Sequence, residues 1–210
     1  MDQSCNRLSA SGRLLGLGQQ VAGKTGSVSL GEVVDALGSS AIGMVLIILT
    51  LPALIPIPGP FGLVFGTILM FVSAQLLFGV RRLWLPELAR QRMLPVGAVA
   101  RMVEVGAPIL LRAEAALRPR RMLPLTGRLG RIALAVPMVL LALAIALPIP
   151  LGNIPPALSM IAIALGLVVR DGIAIVIGLI LSIFAGLWAA AILVFGAEII
   201  GGSMSLLGWR

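Results

Sequence analysis

The chain lacks several residue types on which enzymes commonly depend. Its 210 residues include no histidine, no tyrosine and one cysteine, Cys5. Histidine is the commonest general acid–base and a frequent metal ligand, so catalysis would have to rest on carboxylates, hydroxyls or basic side chains. A single cysteine excludes an intramolecular disulfide. No carboxylate pair stands at a useful spacing, and Gly23-Lys24-Thr25 lacks the glycine and strand of a phosphate-binding loop. We therefore expect no enzymatic activity, no metal and no cofactor.

Charged residues are also scarce, and three long runs of the chain contain none. Charged residues make up 11% of the chain, hydrophobic residues 59%, and the mean hydropathy is +1.10. Residues 36–80, 132–169 and 172–197 form uncharged runs of 45, 38 and 26 residues. Since about 20 apolar residues suffice to span a bilayer, the sequence predicts a multi-pass membrane protein.

The basic charge is confined to one segment. Residues 81–131 hold eleven arginines and three glutamates, which is a net +8, while the rest of the chain is neutral. An excess of arginine beside membrane spans is typical of the cytoplasmic side. Nucleic-acid binding is the rival explanation, but an anionic lipid leaflet already accounts for the arginines. We expect membrane lipids as partners and no nucleic acid.

Two proline-rich stretches read almost alike. Residues 51–62 are Leu-Pro-Ala-Leu-Ile-Pro-Ile-Pro-Gly-Pro-Phe-Gly, and residues 147–156 are Leu-Pro-Ile-Pro-Leu-Gly-Asn-Ile-Pro-Pro. Proline breaks helices, and a break within lipid leaves backbone groups that only protein or trapped water can satisfy. The pair predicts a duplicated membrane unit built around unwound segments, as in transporters. Tight turns at hairpin tips, without ligand contact, are the alternative.

The lengths of the helical arms bear on how each unit meets the membrane. The arms 39–55 and 61–79 could each nearly cross the bilayer. The later arm 157–169 would reach only about 20 Å at 1.5 Å per residue, short of the roughly 30 Å core. This favours a re-entrant hairpin for the second unit. Whether the two units are parallel or inverted stays open.

We predict an all-α integral membrane protein with two Pro-broken, re-entrant helical hairpins as an internal repeat. Amphipathic cytoplasmic helices lie between the hairpins, and a transmembrane helix follows them. The predicted segments are 1–38 (cytoplasmic or interfacial), 39–80 (first hairpin), 81–131 (arginine-rich), 132–171 (second hairpin), 172–197 (transmembrane helix) and 198–210 (tail).

Candidate site residues follow from polar or helix-breaking positions inside the apolar runs, because intramembrane polar groups are often functional. Interhelical hydrogen bonding and an ordinary turn at the hairpin flank are the alternatives. The candidates for a substrate path are Pro56, Pro58, Gly59, Gln75, Pro148, Pro150, Asn153 and Asp171.

Two further groups are predicted from charge and size. Small residues at four-residue intervals favour close helix packing and suggest a homodimer; they are Gly62, Gly66, Gly178, Ser182 and Gly186. Arginines beside the apolar runs could bind anionic lipid or headgroups, with solvated anchoring as the alternative. They are Arg81, Arg82, Arg118, Arg120 and Arg121.

An ordered set of motifs over residues 27–190 resembles the ExoD family of bacterial membrane proteins. The set departs from the family at Ile154-Pro155, where a polar or aliphatic pair is more usual. The motifs are Pro-Ile-Pro at 56–58, Gly79, Trp84-Leu-Pro86, Arg118-Pro119-Arg120, Leu-Pro-Ile-Pro at 147–150, Gly152-Asn153, Pro156-Ala157, Gly166-Leu167 and Asp171-Gly172.

The resemblance implies a bacterial inner-membrane location and a link to exopolysaccharide synthesis, without supplying a reaction. We expect a transporter- or permease-like protein with its site at the paired breaks. The alternative is a non-transporting accessory or scaffold subunit, which would bind exopolysaccharide biosynthesis proteins through the arginine-rich segment.

Overall fold

The computed structural model describes residues 9–23, 26–54, 61–80, 82–117, 128–147 and 152–206, without the side chains of Phe61, Arg128 and residues 195–206. Short 3₁₀ turns occupy Gly38–Ser40 and Leu51–Leu54. The helices and strands are α1 (Ala10–Ala22), β1 (Ser27–Ser29), α2 (Leu30–Leu37), α3 (Ala41–Thr50), α4 (Phe61–Leu77), α5 (Glu87–Arg90), β2 (Met93–Pro95), α6 (Val96–Ala116), α7 (Arg128–Ala146), α8 (Ile154–Val169) and α9 (Gly172–Leu206).

The predicted helical membrane fold is confirmed in its main features. Three helical stretches are long and apolar enough to cross a membrane: Leu30–Leu54, Leu129–Ala146 and Gly172–Val194. The first is interrupted at Gly38, whose φ of 57° is unfavourable for other residues. Two shorter apolar helices, Gly62–Leu77 and Ile154–Val169, accompany them. The set is that of a multi-pass membrane protein.

A small antiparallel ribbon is the main feature that the all-α prediction did not contain. Strand β1 pairs with β2, so that Val28 lies opposite Leu94. The ribbon joins the predicted segments 1–38 and 81–131 into one layer. We call this the ribbon layer, and it consists of α1, α2, α5, α6 and both strands. Strands of three residues are too short to leave a period-2 pattern in the sequence.

Helix α1 is held against α6 by apolar packing and by one carboxylate. Leu14, Leu17 and Val21 are buried on one face of α1, and α1 packs along α6. The Glu114 carboxylate of α6 accepts hydrogen bonds from the Ala10 N–H at 2.9 Å, the Ser11 N–H at 3.1 Å and the Ser11 hydroxyl. Glu114 thus satisfies donors at the start of α1 that have no partner within the helix.

The apolar helices form a bundle beside the ribbon layer. Helix α4 packs along α7, α3 packs along α8, and α9 packs back along α8. The largest fully buried side chains of the bundle include Leu46, Leu69, Met138, Ile145, Met160 and Ile163.

Two helix boundaries differ from the sequence-based prediction. Helix α8 begins at Ile154 rather than Ala157, because Pro155 and Pro156 occupy its first turn, where proline is tolerated. Its 16 residues reach about 24 Å, so the length argument for a re-entrant second hairpin becomes weaker. Helix α9 continues beyond residue 197 through the predicted tail to Leu206.

Candidate functional site

The two Pro-Ile-Pro breaks themselves lie outside the described residues, as do Pro56, Pro58, Gly59, Pro148 and Pro150. The residues that follow each break are described, and they meet. A Cβ atom built on Gly62 would stand 3.0 Å from Asn153 Nδ2 and 2.8 Å from the Ile145 carbonyl oxygen. Gly62 opens α4, whereas Asn153 immediately precedes α8. The chain therefore brings the downstream ends of both breaks to one point.

Asn153 has a buried polar atom at this junction that no described residue satisfies. Its Oδ1 is buried and has no hydrogen-bond partner among the described residues. Asn153 precedes α8, yet its side chain makes no capping hydrogen bond to that helix. A buried carbonyl oxygen without a donor costs roughly 1–3 kcal/mol. Such a group is a candidate for contact with a hydroxyl, an amine or water.

Two glycines let α4 approach the end of α7. A Cβ on Gly66 would stand 2.5 Å from both the amide nitrogen and the Cα of Ala146. Real side chains do not come so close, so glycine is required at this position. Gly62 and Gly66 therefore lie on the packing face, where the sequence pattern places them.

Gln75 was predicted to line a substrate path, but its side chain is hydrogen-bonded to the backbone of another residue. Its side-chain Nε2 donates to the Trp84 carbonyl oxygen at 3.0 Å, and its Oε1 accepts from the Trp84 N–H at 2.8 Å. The Trp84 ring also lies against Phe71, with centroids 6.1 Å apart. Gln75 thus fixes the chain that returns after α4 and holds Trp84 along the outside of that helix.

Asp171 shapes the turn between α8 and α9. The residue is 1% exposed, and its Oδ1 accepts the Ile173 N–H at 2.8 Å. Arg170, just before it, adopts a left-handed conformation with φ of 59°, and the Asp171 N–H donates to the Gly166 carbonyl. These contacts are those of a helix cap. Asp171 lies at the other end of α8 from Asn153, so the two path candidates do not meet.

The predicted small-residue stripe of α9 divides into two parts. A Cβ on Gly178 would stand 2.8 Å from the Ile163 amide nitrogen, so this glycine packs closely against α8. Ser182 donates to the Leu179 carbonyl of its own helix. Gly186 has no atom of the described residues within 4 Å of a built Cβ. The last two residues line an apolar groove of ≈ 130 Å³ between α9 and α7.

Of the predicted lipid-binding arginines, only Arg82 is described, and it is exposed; Arg81, Arg118, Arg120 and Arg121 lie outside the described residues. The exposed arginines of α6, Arg101 and Arg112, extend the basic surface of the ribbon layer. Over the described part of the chain, no group of three His, Cys, Asp or Glu could hold a metal ion.

Ser73 is a second polar group within the bundle, and it was not among the site candidates taken from the sequence. It is fully buried in α4, and its Oγ has no hydrogen-bond partner among the described residues. Other hydroxyls of the apolar helices donate to carbonyls of their own helix, such as Thr50 to Leu46 and Ser159 to Pro155. Its position inside the uncharged run 36–80 is the sequence signal that could have identified it.

Comparison with known proteins agrees with the motif pattern. The family model described as "Exopolysaccharide synthesis, ExoD" matches residues 12–191. An uncharacterized protein of Synechocystis sp. (strain ATCC 27184 / PCC 6803 / Kazusa) is 34% identical over 168 residues, which cover 80% of this chain and 79% of that relative. Protein ExoD of Rhizobium meliloti (strain 1021) is 28% identical over 170 residues, which cover 79% and 69% respectively. No solved structure matches the chain.

Proposed function

Because the chain belongs to the ExoD family, associated with exopolysaccharide synthesis, we propose that it is a transporter- or permease-like protein of the bacterial inner membrane. Its substrate path would run past the paired Pro-broken segments. The observation that carries this proposal is the contact between Gly62 and Asn153, at the downstream ends of the two breaks.

The chemistry of the junction supports a path for a polar substrate. The Asn153 Oδ1 atom is buried and unpartnered among the described residues, so an entering group that donates a hydrogen bond would gain a partner there. Gly62, which has no side chain, lets the Asn153 amide and the Ile145 carbonyl lie close to the backbone of α4. Broken helices near the midplane use such groups to contact substrates in transporters. Sugar hydroxyls, lipid-linked sugars and hydrated ions all present donors of this kind.

Reconstitution into proteoliposomes tests the proposal with flux measurements for ions, sugars and lipid-linked carriers. We expect flux of at least one of these classes and its loss in Asn153→Ala. Thr67→Val is the matched control, because Thr67 is exposed and its hydroxyl donates to the Leu63 carbonyl of its own helix. Absence of flux from folded wild-type protein across all three classes would contradict the transport proposal.

The alternative function is that of an accessory subunit in an exopolysaccharide assembly complex. The exposed arginines Arg82, which lies between α4 and α5, and Arg101 and Arg112, which lie in the ribbon layer, support it. A partner enzyme or its acidic surface would bind there rather than at the breaks. In that case, replacing Arg118, Arg120 and Arg121 by Gln would abolish exopolysaccharide production, whereas Asn153→Ala would leave it unchanged. The transport proposal expects the opposite ranking.

We further propose a homodimer and no enzymatic step. One chain offers few helices to surround a path, and the outer face of α9 carries Gly186 beside an apolar groove, where a second helix could approach. Cross-linking in native membranes tests the dimer, and a monomer at all protein densities would contradict it. A turnover that is lost on substitution of Asp171, with substrate binding retained, would contradict the non-enzymatic proposal.

A further inference from the structure

Helix α4 has an apolar stripe on its outer side, and the chain that follows the helix returns along this stripe. Val64, Ile68 and Phe71 stand at helical spacing on one side of α4, and all three are exposed. Gln75 continues the stripe by one turn, yet it is only 7% exposed, because the Trp84 backbone covers its amide. The returning segment, residues 82–86, therefore lies on the outer side of an apolar helix of the bundle.

The burial of the returning segment alternates as in an extended chain. Leu83 is buried, whereas Arg82 and Trp84 on either side of it are exposed. Side chains two residues apart in an extended chain point to the same side, so the guanidinium and the indole ring face outward together. Leu88, in the first turn of α5, is 84% exposed. The surface thus combines one cation with two large apolar side chains.

The contacts of Trp84 also set the order of these groups along α4. The Trp84 ring lies against Phe71, which stands six residues, or about 9 Å, before the end of the helix at Leu77. Because the chain reaches Trp84 from that end, Arg82 lies nearer to the helix end than the ring does. The helix end leads into the arginine-rich segment, which marks the cytoplasmic side. The cation therefore lies on the headgroup side of the ring.

We propose that Arg82 and Trp84 form a binding site for an anionic phospholipid of the cytoplasmic leaflet. The guanidinium binds the lipid phosphate through charge-assisted hydrogen bonds. The ring lies at the boundary between headgroups and hydrocarbon, where tryptophan is enriched, and Leu88 inserts into the same leaflet. Residues 81–92 contain four arginines and one glutamate, so the charge of this stretch is complementary to an anionic lipid. The site is independent of whether the protein transports.

Quenching of Trp84 fluorescence by brominated lipids tests this site. Trp188→Phe and Trp209→Phe leave Trp84 as the one tryptophan of the full chain, which is reconstituted into phosphatidylcholine vesicles with a small fraction of brominated lipid. Brominated phosphatidylglycerol should quench up to about fivefold more strongly than brominated phosphatidylcholine, because one arginine near an anionic leaflet enriches such lipid by about that factor. Bromine near the headgroup end of the acyl chain should quench more than bromine near its far end.

Arginine variants separate a lipid site from general surface charge. Arg82→Gln should remove the preference for phosphatidylglycerol, and Arg82→Lys should keep most of it. Arg101→Gln, at an exposed position of α6, is the control with the same charge change and should keep the preference.

Three outcomes would overturn the proposal. Equal quenching by the two lipids, or equal loss of the preference in both glutamine variants, would leave only general surface charge. Stronger quenching by the deeper bromine would place the ring away from the headgroup boundary. Absence of quenching would show that protein rather than lipid covers Trp84. Flux is not measured in any of these experiments, so failure here is distinct from failure of the transport proposal.

Discussion

At the scale of single residues, polar side chains of the bundle serve different purposes although they look alike in sequence. Gln75 and Asn153 both interrupt apolar runs. Gln75 is satisfied by the Trp84 backbone, whereas Asn153 keeps a buried oxygen that has no partner among the described residues. The difference is set by what lies opposite each side chain. Only tertiary structure supplies that information, so the sequence could nominate both residues without separating a structural contact from an open site.

Gln75→Leu should destabilise the protein by about 1–3 kcal/mol, because the Trp84 N–H and carbonyl lose their partners. Thermal unfolding in detergent measures the loss, and Trp84 emission should shift as the ring leaves Phe71. Thr67→Val is the control and should change stability little. Unaltered stability of Gln75→Leu would show that water replaces the amide without cost.

Gly66→Ala should destabilise by roughly 1–3 kcal/mol, since an added methyl overpacks the contact with the Ala146 backbone. Gly16→Ala, in the middle of α1, is the matched control, because nothing in the described structure lies within 4 Å of the new methyl. Alanine there should be neutral or stabilise by up to about 1 kcal/mol through helix propensity. Equal effects of both variants would contradict the packing of α4 on α7.

At the scale of secondary-structure elements, the sequence predicted where most helices lie but not which helices pack against each other. Long uncharged runs predicted the positions of α4, α7 and α9, and α2 begins at a capping sequence in which the Ser29 hydroxyl accepts the Glu32 N–H. The ribbon and the end of α9 were missed. Three-residue strands leave no periodic signal, and the Gly-rich residues after 197 resemble a tail although the backbone remains helical.

Glu114→Ala should release α1 from the ribbon layer. Its carboxylate accepts three hydrogen bonds at the start of α1, and bonds to charged groups contribute about 1.5–3 kcal/mol each at most. Hydrogen exchange should therefore accelerate across Ala10–Ala22 while α7 and α8 stay protected. Glu104→Ala, at an exposed position of the same helix, is the control. Equal exchange in both variants would argue that apolar packing alone holds α1.

At the scale of the whole molecule, the two halves of the chain, residues 1–119 and 120–210, depend on each other for packing. Helix α4 finds its packing surface on α7, and α3 finds its surface on α8, so neither half completes its own core. The repeated proline motif indicated a duplication, but the sequence left its direction open. The glycine contacts join residues far apart in the chain, 80 positions for Gly66 and Ala146 and 125 positions for Gly43 and Val168.

Splitting the chain between Pro119 and Arg120 should give two fragments that associate when co-expressed. The reason is that α4 and α7, and α3 and α8, would still share their buried faces. Co-purification through a tag on one fragment measures the association, and Gly66→Leu on the first fragment should abolish it. Fragments that purify separately in wild-type form would contradict mutual dependence of the halves.

The packing of α4 on α7, which joins the two halves of the chain, has a consequence for synthesis of the protein. Ala146 emerges from the ribosome 80 residues after Gly66, a delay of roughly 4–16 s at the usual 5–20 residues per second. During that interval the nascent first half presents a glycine face with no partner of its own. Neighbouring nascent chains on the same messenger carry the partner that is missing. Overproduction should therefore favour exchanged dimers, in which the first half of one molecule completes the second half of another.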